Sequence, residues 1–466
     1  MIDHFLQPWH NQTTLHPFGL IAVLLCGAAL IVLPRRFAIV PILVMACFVA
    51  PAQRVVLASM DFNLLRLVVV LGWVRVVLHQ QWRGLNWNRM DTFVCLWALW
   101  GAAAFTLTHL SSAALINRLG FLFDALGMYF LFRMLLRDWA DLRLLATAAA
   151  VLAVPVACAF LIEKATARNM FAFLGGVPEI TTVRAGVLRC QGAFAHPILA
   201  GSFWAALMPL IAATWFTNRG SARLLAPIGL AAAATVVITC ASSTPLVAMI
   251  IGAVAVCLYP LRKYLSWMRL AVIFCAIVLH MVMIAPLWHL LARISLVEGS
   301  TGWYRFKLID EFFEHFNEWW LIGTESTAHW WKWGSADVTN QYVVEGVHGG
   351  LGALVLFIAV LAIAFHAVGR ARKHAEHLPQ RRMLAWCLGC SLLIHCMSFL
   401  AVSYFGQMIV VMYLSLAISG TILNKSPRTV CIDVRTLRAH NSVLVPVIPG
   451  KLRLVQRITA CLSFTT

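Results

Sequence analysis

Apolar segments close to the length needed to cross a lipid bilayer recur along almost the whole chain. Hydrophobic residues make up 61% of the 466 residues and charged residues only 12%, about half the charged share of a typical soluble domain. A membrane helix needs roughly 20 predominantly apolar residues. We therefore predict an all-α, polytopic bundle of about 12 to 13 transmembrane helices. The predicted spans are approximately 17–33, 37–52, 62–78, 92–109, 116–136, 142–162, 194–215, 223–240, 244–261, 269–287, 346–367, 384–402 and 404–423.

Lysine and arginine are distributed unevenly between the loops that join these spans. With the N-terminus outside the cytoplasm, 25 of the 36 basic residues fall on the inner side, as the positive-inside rule requires. This alternation predicts N-terminal transmembrane helices over 1–287 with an outer loop at 163–193. A large extracytoplasmic loop follows at 288–345, then C-terminal transmembrane helices over 346–423 and a basic cytoplasmic tail over 424–466.

The net charge of +18 follows from these basic inner loops. We find no nucleic-acid-binding motif, so topology and contact with anionic membrane lipids explain the charge better than a nucleic-acid partner. Most of the 13 cysteines lie inside apolar spans, and a disulfide framework is therefore not expected.

The 288–345 loop has an unusual composition. It holds eight of the 18 acidic residues and seven of the 18 tryptophans, but only four lysines or arginines. Within it, apolar residues recur at spacings of three and four, which predicts a helix lying along the membrane surface. We expect the phenylalanines of this stripe to serve packing or anchoring. The stripe consists of Phe306, Ile309, Phe313, Phe316 and Trp320.

Three arginines in the two outer loops are candidates for binding an anionic headgroup. Arg305 lies beside the apolar stripe, where a guanidinium can bind phosphate oxygens in a fork; a snorkelling side chain or an ion pair is the alternative. Arg184 and Arg189 end the 163–193 loop.

Aromatic residues of the 288–345 loop are candidates for contact with a sugar. Trp330, Trp333 and Tyr342 could stack on sugar rings, although an ordinary interfacial aromatic belt fits the composition equally well.

Candidate proton-transfer groups lie close to the start of two apolar spans. Asp337 could act as a general base toward a hydroxyl or cap a helix, and Asn340 could orient the same substrate. His196 could bind a headgroup or transfer a proton, although a hydrogen-bonded structural histidine is the commoner outcome. We find no second histidine or acid spaced to make a metal site with it, and we predict no metal or other cofactor.

Asp124 lies in the middle of a predicted span. A carboxylate at that depth costs ~2.5–3.5 kcal/mol on insertion scales, so it needs a partner. We predict an ion pair with an arginine from another helix.

Three stretches of the chain together resemble a known family. They are R-x-x-G-x-F-x-H-P at residues 189–197, the outer helix and its arginine at 305–323, and D-x-x-N-x-Y followed by glycines at 337–352. In this order, across a polytopic chain, they resemble the O-antigen ligase and O-antigen polymerase superfamily.

The resemblance implies a polytopic glycosyltransferase of the bacterial inner membrane. Such enzymes transfer or polymerise glycan from an undecaprenyl-diphosphate carrier to a glycan or lipid acceptor, in O-antigen or exopolysaccharide synthesis in the cell envelope. By resemblance, Arg305 matches an arginine that grips the diphosphate, and Asn340 matches the asparagine of a His-Asn pair.

The sequence departs from the family at two positions. Thr339 stands where the family histidine is expected, and Asp337, His348 or His196 could replace it. Ser242-Ser243-Thr244-Pro245 stands where many members have Ser-Arg, and Arg184 or Arg189 could replace that arginine. Two alternatives stay open, namely a transporter or flippase of lipid-linked sugars and a non-catalytic scaffold for glycan assembly.

Overall fold

The computed structural model describes residues 13–57, 60–293, 302–331 and 338–423. Each of the thirteen predicted apolar spans contains a helix. In the described part of the chain, eight helices are long and apolar enough to cross a membrane, and three shorter apolar helices accompany them. The chain is therefore a multi-pass, all-α membrane protein. The tail predicted at 424–466 lies outside the described residues.

The helices follow one another with little other secondary structure. The first ten are α1 (Pro17–Val32), α2 (Ile39–Phe48), α3 (Leu64–Leu78), α4 (Arg89–His109), α5 (Ser112–Leu122), α6 (Met128–Leu135), α7 (Trp139–Thr166), α8 (Pro197–Thr217), α9 (Leu225–Thr239) and α10 (Ser243–Cys257). The others are α11 (Leu265–Val282), α12 (Leu290–Arg293), α13 (Gly302–Glu314), α14 (Phe316–Trp319), α15 (Gln341–His374), α16 (Pro379–Phe399) and α17 (Met408–Leu423). Two antiparallel hairpins are formed by β1 (Arg54–Leu57) with β2 (Met60–Asn63), and by β3 (Val183–Arg184) with β4 (Val187–Leu188).

The centre of the bundle is formed by α8, whose side chains are mostly buried. It packs against α9 and α16, while α9 also packs on α7 and α4 packs along α15. Small residues allow these close approaches, because Gly229 of α9 lies directly against the backbone of Ala150 in α7. At the other extreme, no side chain of α11 is buried, which leaves its apolar surface to lipid.

Two ion pairs lie inside the described part of the bundle. Asp124 lies in a π-helical turn between α5 and α6. Its two carboxylate oxygens accept hydrogen bonds from Nε and Nη2 of Arg66 in α3, at 2.8 and 2.6 Å. The predicted ion pair for Asp124 is thus confirmed. A second pair joins Arg133 to Asp91, which also accepts a hydrogen bond from the Tyr129 hydroxyl at 2.7 Å.

Segments far apart in the sequence are joined by polar contacts. Arg35 pairs with Asp141 at 2.6 Å. The Gln407 side chain donates to the carbonyl oxygens of Ala193 at 2.6 Å and Val49 at 3.2 Å. The side of the membrane on which each loop lies stays a prediction.

The long loop, which we define as residues 283–340, packs against a break in α15. The loop was predicted to run to 345, but the helix already begins at Gln341. Inside the helix, Gly350 adopts φ 67° and ψ −170°, a conformation that favours glycine.

Backbone groups of the loop form hydrogen bonds with the helix at this break. The amide of Thr324 donates to the Val347 carbonyl at 2.9 Å, and the amide of Leu351 donates to the Trp320 carbonyl at 2.8 Å. The groups that the interrupted helix leaves unpaired are thereby satisfied, as they must be at membrane depth. Glycine at 350 allows the loop backbone to approach closely, because a Cβ there would overlap the Leu321 carbonyl.

Candidate anion-binding site

The loop between α7 and α8 is organised by one buried carboxylate. Glu163, at the end of α7, accepts hydrogen bonds from the backbone amides of Gln191 at 3.1 Å and Gly192 at 2.9 Å, and from the Thr181 hydroxyl at 3.1 Å. It is only 1% exposed. These three bonds fix both ends of the segment that carries β3 and β4.

The β3–β4 hairpin presents Arg184 to solvent. Its two-residue turn, Ala185-Gly186, has positive φ at both positions, 49° and 75°, as a type I′ turn requires. Arg184 ends β3 directly before this turn and is exposed. The hairpin therefore holds a positive charge at its tip.

Arg189 follows β4 and is buried. Its amide donates to the Thr182 carbonyl at 2.9 Å, and the next amide, that of Cys190, donates to the Thr239 carbonyl at 3.1 Å. The second bond ties the hairpin to the end of α9. The Arg189 side chain is 8% exposed, and within the described part of the chain its Nε has no hydrogen-bond partner.

Arg305 comes from the long loop, in the first turns of α13. The residue before it, Tyr304, stacks on Trp331 with ring centroids 4.6 Å apart and planes 9° apart. This stack fixes the start of the helix. Arg305 is 7% exposed, and its buried Nε has no hydrogen-bond partner among the residues that the structure describes.

The three arginines of the two loops lie close enough for their charges to act on one another. Burial, reinforced by the positive charges of Arg184 and Arg189, lowers the pKa of Arg305 to about 10. Burial and the charge of Arg184 also lower the pKa of Arg189. Among the described residues, no carboxylate forms an ion pair with any of the three. An anion with several oxygens is the ligand that would satisfy such a group.

His196 borders this arginine group as the N-cap of α8. Its Nδ1 accepts a hydrogen bond from the Ile198 amide at 3.2 Å. Burial, and then the charges of Arg189 and Arg184, lower the pKa of His196 to about 4. The ring is therefore neutral at pH 7, with its proton on Nε2. In that state its Nε2–H can donate a hydrogen bond to an anion, and the proton-transfer role of His196 stays a prediction.

Asn340 has a structural role as the N-cap of α15. Its Oδ1 accepts hydrogen bonds from the amides of Tyr342 at 2.9 Å and Val343 at 3.3 Å, and its Nδ2 donates to the Leu400 carbonyl at 3.2 Å. At 2% exposure, both ends of the amide are engaged within the protein. The substrate-orienting role predicted for Asn340 is corrected to that of a helix cap.

Tyr342 and His348 face the bundle. The Tyr342 hydroxyl donates to the Cys396 carbonyl at 3.1 Å, and its ring packs against Phe357 and Phe399. His348 lies edge-on to Phe105 of α4, with ring centroids 5.1 Å apart. Tyr342 is therefore a packing residue and not a sugar platform, and His348 is not brought to the arginine group.

Trp330 is also engaged within the protein. It is 4% exposed, stacks on His315 and donates from Nε1 to Glu318 at 2.9 Å, so it offers no open face to a sugar. Trp333 and Asp337 lie outside the described residues. Exposed aromatic surface on the loop comes instead from Trp303, 61% exposed, and Trp320, 46% exposed.

The turn between α9 and α10 lies beside Arg189. Ser242 of the turn is buried, as are Ser243 and Thr244 at the start of α10, and the Thr244 hydroxyl has no hydrogen-bond partner among the described residues. The charge of Arg189 also acts on Cys240 at the start of the turn. Arg189 thus places a positive charge close to this turn.

Glu163 is the residue of this site that sequence reasoning missed. An acid at the end of an apolar span looks like an ordinary boundary residue, and its three partners come from 18 to 29 residues further on. The only signal was that the acid precedes a loop rich in glycine and arginine.

Comparison of the chain with models of known protein families gave no match, and neither did comparison with curated proteins. The fold and the geometry of the arginine group therefore carry the functional argument.

Proposed function

We propose that this protein is an inner-membrane glycosyltransferase of the O-antigen ligase or polymerase type. In this proposal it transfers or polymerises glycan from an undecaprenyl-diphosphate carrier during O-antigen or exopolysaccharide synthesis. The arginine group formed by Arg184, Arg189 and Arg305 carries the proposal. Two of its members are buried without an acidic partner among the described residues, and a diphosphate supplies the missing negative charge.

The proposed orientation places the arginine group and the long loop on the extracytoplasmic side. The sequence supports this orientation through the excess of lysine and arginine in the opposite loops. Exposed Trp303 and Trp320 suit contact with the membrane interface, where the headgroup of a lipid-linked donor lies.

The reaction needs little more than positioning and charge stabilisation. The acceptor hydroxyl oxygen attacks the anomeric carbon of the donor, and a glycosidic C–O bond forms. The bond from that carbon to the diphosphate oxygen breaks, and its electron pair leaves with the lipid diphosphate. The three arginines stabilise the charge that develops on this leaving group. Asp337 is the proposed acceptor of the hydroxyl proton, and the Nε2–H of neutral His196 donates to the diphosphate.

A transporter of lipid-linked sugars is less well supported. Asp124 was the main mid-span charge available to such a carrier, and the structure pairs it with Arg66 through two hydrogen bonds. That carboxylate therefore has a structural partner in α3 and is not a free ion-coupling group.

The proposal is tested by glycan transfer in proteoliposomes supplied with an undecaprenyl-diphosphate oligosaccharide and an acceptor glycan. Arg305→Ala is expected to lower transfer about 10- to 100-fold, because a charge-assisted hydrogen bond contributes roughly 1.5–3 kcal/mol. Asp337→Asn is expected to abolish transfer while donor binding persists.

The matched control is Arg168→Ala. Arg168 lies in the α7–α8 loop but is exposed and paired with Glu179 at 3.0 Å, so transfer should not change. Unchanged transfer in Arg305→Ala would contradict the proposed site. Donor binding without any transfer by the wild type, with several acceptors, would favour the non-catalytic scaffold.

A further inference from the structure

Two histidines and a glutamate come together in the long loop, separately from the arginine group. His315 directly follows α13, Glu318 lies in α14, and His329 lies in the 3-10 turn Ala328–Trp330. One potential ligand atom from each side chain lies within 4.8 Å of the other two. Sequence analysis missed the group because His329 is 11 residues away from Glu318.

His315 is oriented like a metal ligand. Its Nδ1 lies 3.0 Å from the carbonyl oxygen of Glu311, so Nδ1–H donates there and the lone pair is left on Nε2. A second hydrogen bond of this kind, to a carbonyl or carboxylate, is the usual way in which proteins fix a metal-binding imidazole. The ring also stacks on Trp330, with centroids 5.1 Å apart and planes 17° apart, which holds it in place.

One carboxylate oxygen of Glu318 contacts both Trp330 and His329. Its Oε2 accepts a hydrogen bond from Nε1 of Trp330 at 2.9 Å and lies 2.7 Å from Nε2 of His329. The supporting contacts of Glu318 and His315 therefore converge on the same indole. His329 and Glu318 are exposed enough, at 55% and 38% of their side chains, for an ion to enter from solvent.

We propose that His315, Glu318 and His329 form a Zn²⁺-binding site. Two imidazoles and one carboxylate are a ligand set that zinc prefers over magnesium or calcium. Bonds of ~2.0–2.2 Å to a tetrahedral ion place the ligand atoms about 3.4 Å apart. The three ligand atoms lie within 4.8 Å of one another, so binding requires the exposed Glu318 and His329 side chains to rotate toward the ion, and water fills the fourth position. The ion joins the end of α13 to the 328–330 turn and holds Trp330 between them, whether or not the protein is a transferase.

The test is zinc binding to the full-length protein without an affinity tag, purified in detergent and freed of metal by a chelator. Calorimetric titration with Zn²⁺ is expected to show one tight site per chain in the wild type. His329→Gln and His315→Gln should each weaken it at least about 10-fold, the smaller loss typical of disturbed metal sites. Co²⁺ should give a visible spectrum of tetrahedral nitrogen and oxygen ligands, without thiolate charge-transfer bands, which sets the site apart from the cysteines.

The matched control is His374→Gln. His374 is exposed, and its Nδ1 bonds the carbonyl of Arg370 in the same i−4 arrangement, but no group of metal ligands forms around it among the described residues. Its affinity for zinc should equal that of the wild type.

Thermal unfolding is a second measurement, which applies also to variants that are less stable than the wild type. Zinc should raise the thermal midpoint of the wild type and of His374→Gln, but not that of His315→Gln or His329→Gln. Equal zinc affinity in wild type and His329→Gln, or no tight site in the wild type, would overturn the proposal. The group would then be an ordinary ion pair between His329 and Glu318.

Discussion

Arg305 shows a conflict between stability and function at the scale of one residue. A buried guanidinium beside two other arginines is costly in the absence of an anion, because both desolvation and repulsion oppose its charge. Proteins keep such groups where a ligand supplies the opposite charge. The pKa of Arg305 is lowered to about 10, because burial and the neighbouring positive charges disfavour its charged form.

Replacing Arg305 by methionine should therefore stabilise the fold. Arg305→Met keeps much of the side-chain volume and removes the buried charge, so we expect unfolding to cost ~1 kcal/mol or more above the wild type. Thermal unfolding in detergent without donor lipid measures this. Arg168→Met, at the exposed Arg168–Glu179 pair, should have little effect. A destabilised Arg305→Met protein would show that Arg305 has a structural partner.

His196 makes stability depend on pH in a defined window. Its pKa is about 4 in the folded protein and ~6.5 in an unfolded chain, so the unfolded state binds more protons between these values. Stability contributed by neutral His196 is present above pH ~6.5 and is lost as the pH falls toward 4. Thermal midpoints measured from pH 4 to 8 should fall less steeply in His196→Gln than in the wild type. Parallel curves for the two proteins would contradict the buried, neutral histidine.

At the scale of elements, the β3–β4 hairpin depends on a carboxylate that never touches the proposed ligand. Glu163→Gln replaces one acceptor oxygen by an NH₂ group that faces a backbone amide or the Thr181 hydroxyl. We expect the 181–192 segment to loosen and donor affinity to fall about 10-fold, since hydrogen bonds to charged groups contribute roughly 1.5–3 kcal/mol.

Limited proteolysis and donor binding measure the two effects of Glu163→Gln. Glu179→Gln is the matched control, because Glu179 lies in the same loop but its exposed side chain pairs with solvent-exposed Arg168. If both variants behave like the wild type, the hairpin does not depend on Glu163.

The break in α15 is the second element-scale feature. At Gly350, alanine would need φ near 67° and would overlap the Leu321 carbonyl. We expect Gly350→Ala to destabilise the protein by ~1–3 kcal/mol and to release the loop backbone from the helix. Gly369→Ala, in the same helix with open space around its Cβ, should instead stabilise by up to ~1 kcal/mol. Thermal unfolding of the two variants should therefore move in opposite directions.

At the scale of the whole molecule, the sequence predicted the helical membrane architecture well. Apolar spans can be predicted as helices, because a single segment inside lipid can satisfy its backbone hydrogen bonds only by forming a helix. The ion pair of Asp124 was predictable for the same reason, since a lone carboxylate at that depth is too costly.

The candidate site was only partly predictable. Arg184, Arg189 and Arg305 were identified because arginine in an outer loop suggests phosphate binding. The packing of Trp330 and Tyr342 was not, because an aromatic residue that caps a loop core and one that faces a ligand have the same local sequence. Asn340 followed the commoner fate of asparagine before a helix, which is to cap it.

The central claim is that the arginine group binds a diphosphate headgroup. The most direct measurement is the affinity of the protein in nanodiscs for undecaprenyl diphosphate and undecaprenyl monophosphate. Wild type, Arg305→Gln and the control Arg168→Gln are compared. We predict that the wild type and the control bind the diphosphate at least about 10-fold more tightly than the monophosphate, because a second phosphate adds charge-assisted hydrogen bonds. This preference should disappear in Arg305→Gln. Equal affinity of the wild type for the two lipids, or a preference retained in Arg305→Gln, would contradict the account.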